Sequence, residues 1–128
     1  MTRTKEPVER RKHERLNIQN GAFVILPSHE KKVGPIVDIS PDGLTFTYHT
    51  SGDGSVMATQ LDIFVAGSPV HMYTIPCKTI SDFEIIDKTF IGPKEMRRCG
   101  IQFGDLPKNQ ISQLEDFIQN FTSVEGLN

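Results

Sequence analysis

Long apolar runs, paired cysteines and catalytic signatures are what this 128-residue chain has least of. No stretch approaches the ~20 apolar residues needed to span a bilayer, so no membrane insertion is expected. The first residues are charged, with no apolar segment behind them; that excludes a secretory signal, and cytoplasmic residence follows as the default. Cysteine is limited to Cys77 and Cys99, with no Cys-x-x-Cys pair, which argues against a disulfide framework or a zinc ribbon and for two buried thiols in strands. His13, His29, His49 and His71 are scattered and lack metal-ligand spacing, so no metal site is expected. A Gly-x-Ser-x-Gly elbow, a Gly-x-x-x-x-Gly-Lys loop and a Cys/His nucleophile pair are all missing, and the chain reads as a non-catalytic protein with no catalytic residues. Repeats and low-complexity segments are absent too.

What is present begins with charge. The net charge is only -2, but residues 1–15 carry Arg3, Lys5, Arg10, Arg11, Lys12 and Arg15 against three glutamates, which makes this segment +3 and the remainder -5. A basic arm on an acidic body suits an anionic ligand held by the arm. A mainly electrostatic nucleic-acid binder would spread positive charge over the folded face. Residues 1–15 are therefore read as a flexible arm, and 16–122 as one domain of a size that buries a single core.

Within that domain, 16–26 is rich in strand formers and 34–40 gives a second strand. Residues 43–49 alternate Leu44, Phe46 and Tyr48 with Thr45, Thr47 and His49, the period of a half-buried strand. Ser40-Pro41-Asp42-Gly43 between them has the chemistry of a tight turn. Residues 61–66, 70–83 and 98–103 complete six strands. Then the period changes: Ile111, Leu114, Phe117, Ile118 and Phe121 fall on one face of a helix that starts close to Pro107. The pattern predicts a mainly β fold, a six-stranded antiparallel barrel with a C-terminal α-helix over one opening or flank. Phe23, Phe46, Phe64, Phe103, Phe117 and Phe121 are expected in its core.

Two short strings carry the functional signal. Arg11 and Arg15, four apart in an extended segment, point the same way, and each guanidinium offers a planar fork for a phosphate or the O6/N7 edge of guanine. Asp38 accepts from the N1 and N2 hydrogens of guanine's other edge. Ser40 supplies a hydroxyl, and Gly43 permits a positive φ or close approach of a ligand. A good bidentate contact discriminates bases by ~1–3 kcal/mol. Arg10 adds a third fork. Among the remaining residues, His13 lies inside the arginine string, where it can reach a phosphate or face solvent. Alternation sends one of Arg97 and Arg98 inward and the other outward, and either can reach the ligand or serve as surface charge. Each of these residues also has a purely structural explanation, as solvated charge, turn cap or turn glycine.

The order Arg-x-x-x-Arg (Arg11, Arg15), then Asp-x-Ser-x-x-Gly (Asp38, Ser40, Gly43), then Cys99-Gly100-Ile101-Gln102-Phe103 as a closing strand, resembles the PilZ domain, the bacterial receptor module for cyclic di-GMP. The resemblance runs from residue 10 to about residue 120. It implies a cyclic di-GMP ligand held by Arg10, Arg11, Arg15, Asp38, Ser40 and Gly43, and no cofactor. An arginine at position 10 implies capture of an intercalated dimer of the ligand. It further implies a conformational change passed to a downstream protein partner, with motility, adhesion, biofilm or transcription as the output. Two alternatives remain: a small β-barrel binding single-stranded nucleic acid through the arm, and a ligand-independent adaptor. The first lacks exposed aromatics interleaved with basic residues; the second has no use for intact motifs.

Overall fold

The computed structural model describes residues 16–18, 21–27, 31–50, 57–67, 71–85 and 95–123, with 16–18 and 122–123 described by their backbone alone. The arm, with Arg10, Arg11, His13 and Arg15, lies outside the described residues. The elements are β1 (Leu16–Ile18), β2 (Ala22–Leu26), β3 (Lys32–Ser40), β4 (Gly43–Thr50), β5 (Gln60–Val65), β6 (His71–Ile85), β7 (Glu95–Phe103), α1 (Lys108–Phe121) and β8 (Thr122–Ser123). Strands β2-β5-β6-β7-β4-β3 are neighbours in that order, and β3 pairs back onto β2. Six antiparallel strands thus close into a barrel, which leaves no open sheet edge within the ring. The expected strand over 16–26 is two strands, because the chain turns at Gly21 with φ 101°. The first piece, β1, leaves the ring to pair with β3, and β8 pairs with β1.

Inward-facing side chains fill the barrel: Val24, Leu26, Ile36, Ile39, Leu44, Phe46, Leu61, Ile63, Met72, Ile75, Cys99 and Ile101 form one buried cluster. Helix α1 adds Leu114 and Phe117 to it from the side. Two backbone N–H groups at the start of α1, from Gln110 and Ile111, donate to the Pro107 carbonyl. The Gln110 amide also donates to the carbonyls of Tyr73 and Thr74, so the helix lies along the start of β6. No helix among the described residues is long and apolar enough to cross a membrane.

The aromatic core differs from the sequence expectation. Phe46 and Phe117 are buried, and Phe103 and Phe121 pack against the core from partly exposed positions. Phe23 and Phe64 instead stand on the outer face, because Ala22, Val24, Ile63 and Val65 take the inward positions of β2 and β5. There Phe23 stacks on Phe64, Phe64 on His71 and His71 on Tyr73, a row of rings across three strands. Exposed aromatics are therefore present after all, but the strand segments under this row contain no lysine or arginine.

Closure depends on a corner in β3. Residues 32–35 pair with β2, whereas Ile36 and the residues beyond it pair with β4. At the corner, a Cβ on Gly34 would lie 1.6 Å from the Thr47 carbonyl oxygen. Gly34→Ala is accordingly expected to cost about 3 kcal/mol by forcing the strands apart, read as a lower urea midpoint; an unchanged midpoint would contradict the corner. Burial also pushes the Cys77 thiol up to about 11 and that of Cys99 up to about 12, from an ordinary 9.0. Below pH 9 the thiols are protonated whether the chain is folded or not. Above it the unfolded chain ionises first, so stability is expected to fall as pH rises. Melting curves from pH 8 to 10 should show this fall in the wild type and a shallower one in the Cys77→Ser/Cys99→Ala variant.

Candidate functional site

Strand alternation would send Asp38 into the core with Gly34 and Ile36, which share its parity. A register shift between Ile36 and Asp38 prevents this: an extra residue in β3 flips the phase, so that Ile39 is fully buried and Asp38 is not. Bulges of this kind re-aim side chains. Asp38 pairs with Thr45 of β4 on one side and with Asn17 of β1 on the other. Leu16, the residue that follows Arg15, pairs with Ile39. The first described strand therefore begins beside the Asp38–Ser40 segment.

Ser40 and Gly43 have structural duties within this segment. The Ser40 hydroxyl is buried and accepts a hydrogen bond from the Asp42 N–H at 3.1 Å, closing the turn. Gly43 does not have the positive φ that the turn chemistry suggested, since Gly21 and Gly67 are the described glycines that do. It is glycine because β4 and β7 touch there: a Cβ would lie 2.0 Å from the Ile101 carbonyl oxygen.

The two arginines of β7 divide as alternation requires. Arg98 lies outward, two-fifths exposed, with a guanidinium nitrogen 3.9 Å from the Asp38 carboxylate across β4. Arg97 lies inward, in a clamp with Asp82 of β6. Its Nε donates to Asp82 Oδ1 at 2.8 Å, one terminal nitrogen donates to Glu95 at 2.6 Å, and the other donates to the Asp82 carbonyl. Tyr48 of β4 donates its hydroxyl to the second Asp82 oxygen at 2.7 Å. Burial, the Asp82 hydrogen bond and its charge hold the Tyr48 phenol well above its usual value, while the hydrogen bonds to Asp82 and Glu95 raise Arg97 further. Nearby, buried Lys32 donates to the Thr50 hydroxyl and sits over the Tyr48 ring. Arg97 is thus committed to the interior, whereas Arg98 faces the surface that bears Asp38. Among the described residues no group of three His, Cys, Asp or Glu side chains could hold a metal ion. Sequence reasoning missed the clamp, because Tyr48, Asp82 and Arg97 come from three separate strands.

No family model and no curated protein matches the chain. Solved structures do. The PilZ domain of YcgR from Escherichia coli, solved with c-di-GMP, matches with a TM-score of 0.64 at 15% identity over 88% of this chain and 91% of that one. A longer structure of YcgR in complex with c-di-GMP gives a TM-score of 0.63 at 15% identity over 86% of this chain and 45% of that one. The MrkH–c-di-GMP complex from K. pneumonia gives 0.66 at 14% identity over 86% of this chain and 51% of that one. The chain spans about half the length of these longer chains. Its fold is a PilZ-type barrel, in agreement with the resemblance of the sequence motifs.

The two faces of β7 should respond differently to substitution. Asp82→Ala leaves the Arg97 guanidinium and the Tyr48 hydroxyl without their buried acceptor and is expected to cost about 3 kcal/mol. Arg98→Ala removes a long, exposed contact and should shift stability by about 0.5 kcal/mol or less. Urea unfolding of both variants checks this; equal losses would contradict the assignment of the two sides.

Proposed function

We propose that this chain is a cyclic di-GMP receptor in which the arm bearing Arg10, Arg11 and Arg15 closes over the outer wall at Asp38. The observation that carries this reading is the register of β1, with Leu16 opposite Ile39 and Asn17 opposite Asp38. It joins two motifs that are more than twenty residues apart in sequence. In this reading Asp38 accepts from the Watson–Crick edge of a guanine, and the arginine forks take phosphates and the O6/N7 edge. Ser40 and Gly43 keep the wall in shape. The likeness to YcgR and MrkH, both solved with c-di-GMP, supports the same ligand. Arg10 makes an intercalated pair of ligand molecules the expected stoichiometry.

The protein would act by binding, without catalysis or a cofactor, in the cytoplasm. Ordering the arm costs conformational entropy, which ligand contacts must offset. Because β1 also pairs with β8, which directly follows α1, a change in the arm has a short path to the helix. That surface would then be read by a downstream protein governing motility, adhesion or biofilm formation.

Calorimetry tests the reading. Wild-type protein should bind two cyclic di-GMP molecules per chain and discriminate against cyclic di-AMP. Arg15→Ala and Asp38→Ala should each weaken binding roughly tenfold or more. One molecule per chain would overturn the dimer alone. Absence of binding, or binding of single-stranded DNA that collapses steeply with salt, would overturn the receptor.

A further inference from the structure

The outer wall does not end at Arg98. Strand β6 has a register shift between Thr79 and Ser81, and the extra residue flips its phase as the shift in β3 does. Asp82 consequently enters the inner clamp, and Phe83, the last residue of the strand expected over 70–83, comes to the outer face with half its surface exposed. It stands directly opposite Arg98 in the β6–β7 ladder, and Arg98 in turn reaches Asp38. Acid, guanidinium and aromatic ring therefore occupy one face of β3, β4, β7 and β6. Three strand spacings of ~4.8 Å separate the first from the last. One guanine does not bridge that distance, but a ligand with several bases does.

Resting on the cyclic di-GMP reading, we propose that Phe83 is a stacking residue of the same site. It presents its ring to a purine lying further across the wall than the one whose edge meets Asp38. A phenyl face suits this task because base–aromatic stacking needs no particular hydrogen-bond pattern, and the neighbouring guanidinium can stack on a second base. Among the described residues the other exposed aromatic side chains are His71 and Tyr73, which belong to the row of rings already described, and His49 of β4. No ring among the described residues stacks on Phe83.

The chain has no tryptophan, so Phe83→Trp installs a single reporter. Cyclic di-GMP should quench its emission saturably, at the dissociation constant found by calorimetry, with affinity within about twofold of the wild type. Phe83→Ala should weaken binding about tenfold with an unchanged melting temperature, while Tyr73→Ala leaves binding intact. If the wild type binds and Phe83→Ala binds equally well, or if the tryptophan reports nothing, the stacking role is overturned and the receptor stands. If the wild type itself does not bind cyclic di-GMP, both fall together.

Discussion

Barrel closure places one demand on β3 that the rest of the structure obeys: a single strand must pair with β2 along its first half and β4 along its second. The corner at Gly34 lets the backbone of β4 come close enough for the exchange. The register shift that follows restores the apolar Ile39 to the core and expels Asp38. An ionisable side chain at the inward position would cost far more than a bulge does. The acid of the candidate site is therefore outside because the core had to be closed there.

A second consequence is that the inside and the outside of the same strands are coupled. Arg97 and Arg98 are neighbours in β7, so the clamp that fixes Arg97 to Asp82, Glu95 and Tyr48 also fixes the height and orientation of the backbone that carries Arg98. Adjacent residues on a strand point to opposite faces. Charge-assisted hydrogen bonds within a partly buried network hold geometry tightly, whereas the 3.9 Å contact between Arg98 and Asp38 is long and exposed and constrains little. In the same strand pair, Asp82 and Phe83 repeat the division, with a rigid polar anchor inside and an accessible group outside.

The segment before β3 and the segment after α1 meet on this wall. β1 lies between β3 and β8, so β1 and the two residues that follow the helix are paired neighbours.

The sequence by itself determined the class of fold, the helix and both motifs. Strand alternation in 43–49, the turn at Ser40–Gly43 and the helical spacing of Leu114 and Phe117 are local signals, set by which residues can be buried at a given period. It also required that Arg97 and Arg98 face opposite ways. Tertiary structure alone decided which of them faced out, where β1 and β8 paired, and that Phe23, Phe64 and Phe83 stood on the surface. Each of those outcomes follows from register between strands distant in sequence. A one-residue shift sends every later side chain to the other face, and no local pattern records where closure of the barrel will demand such a shift.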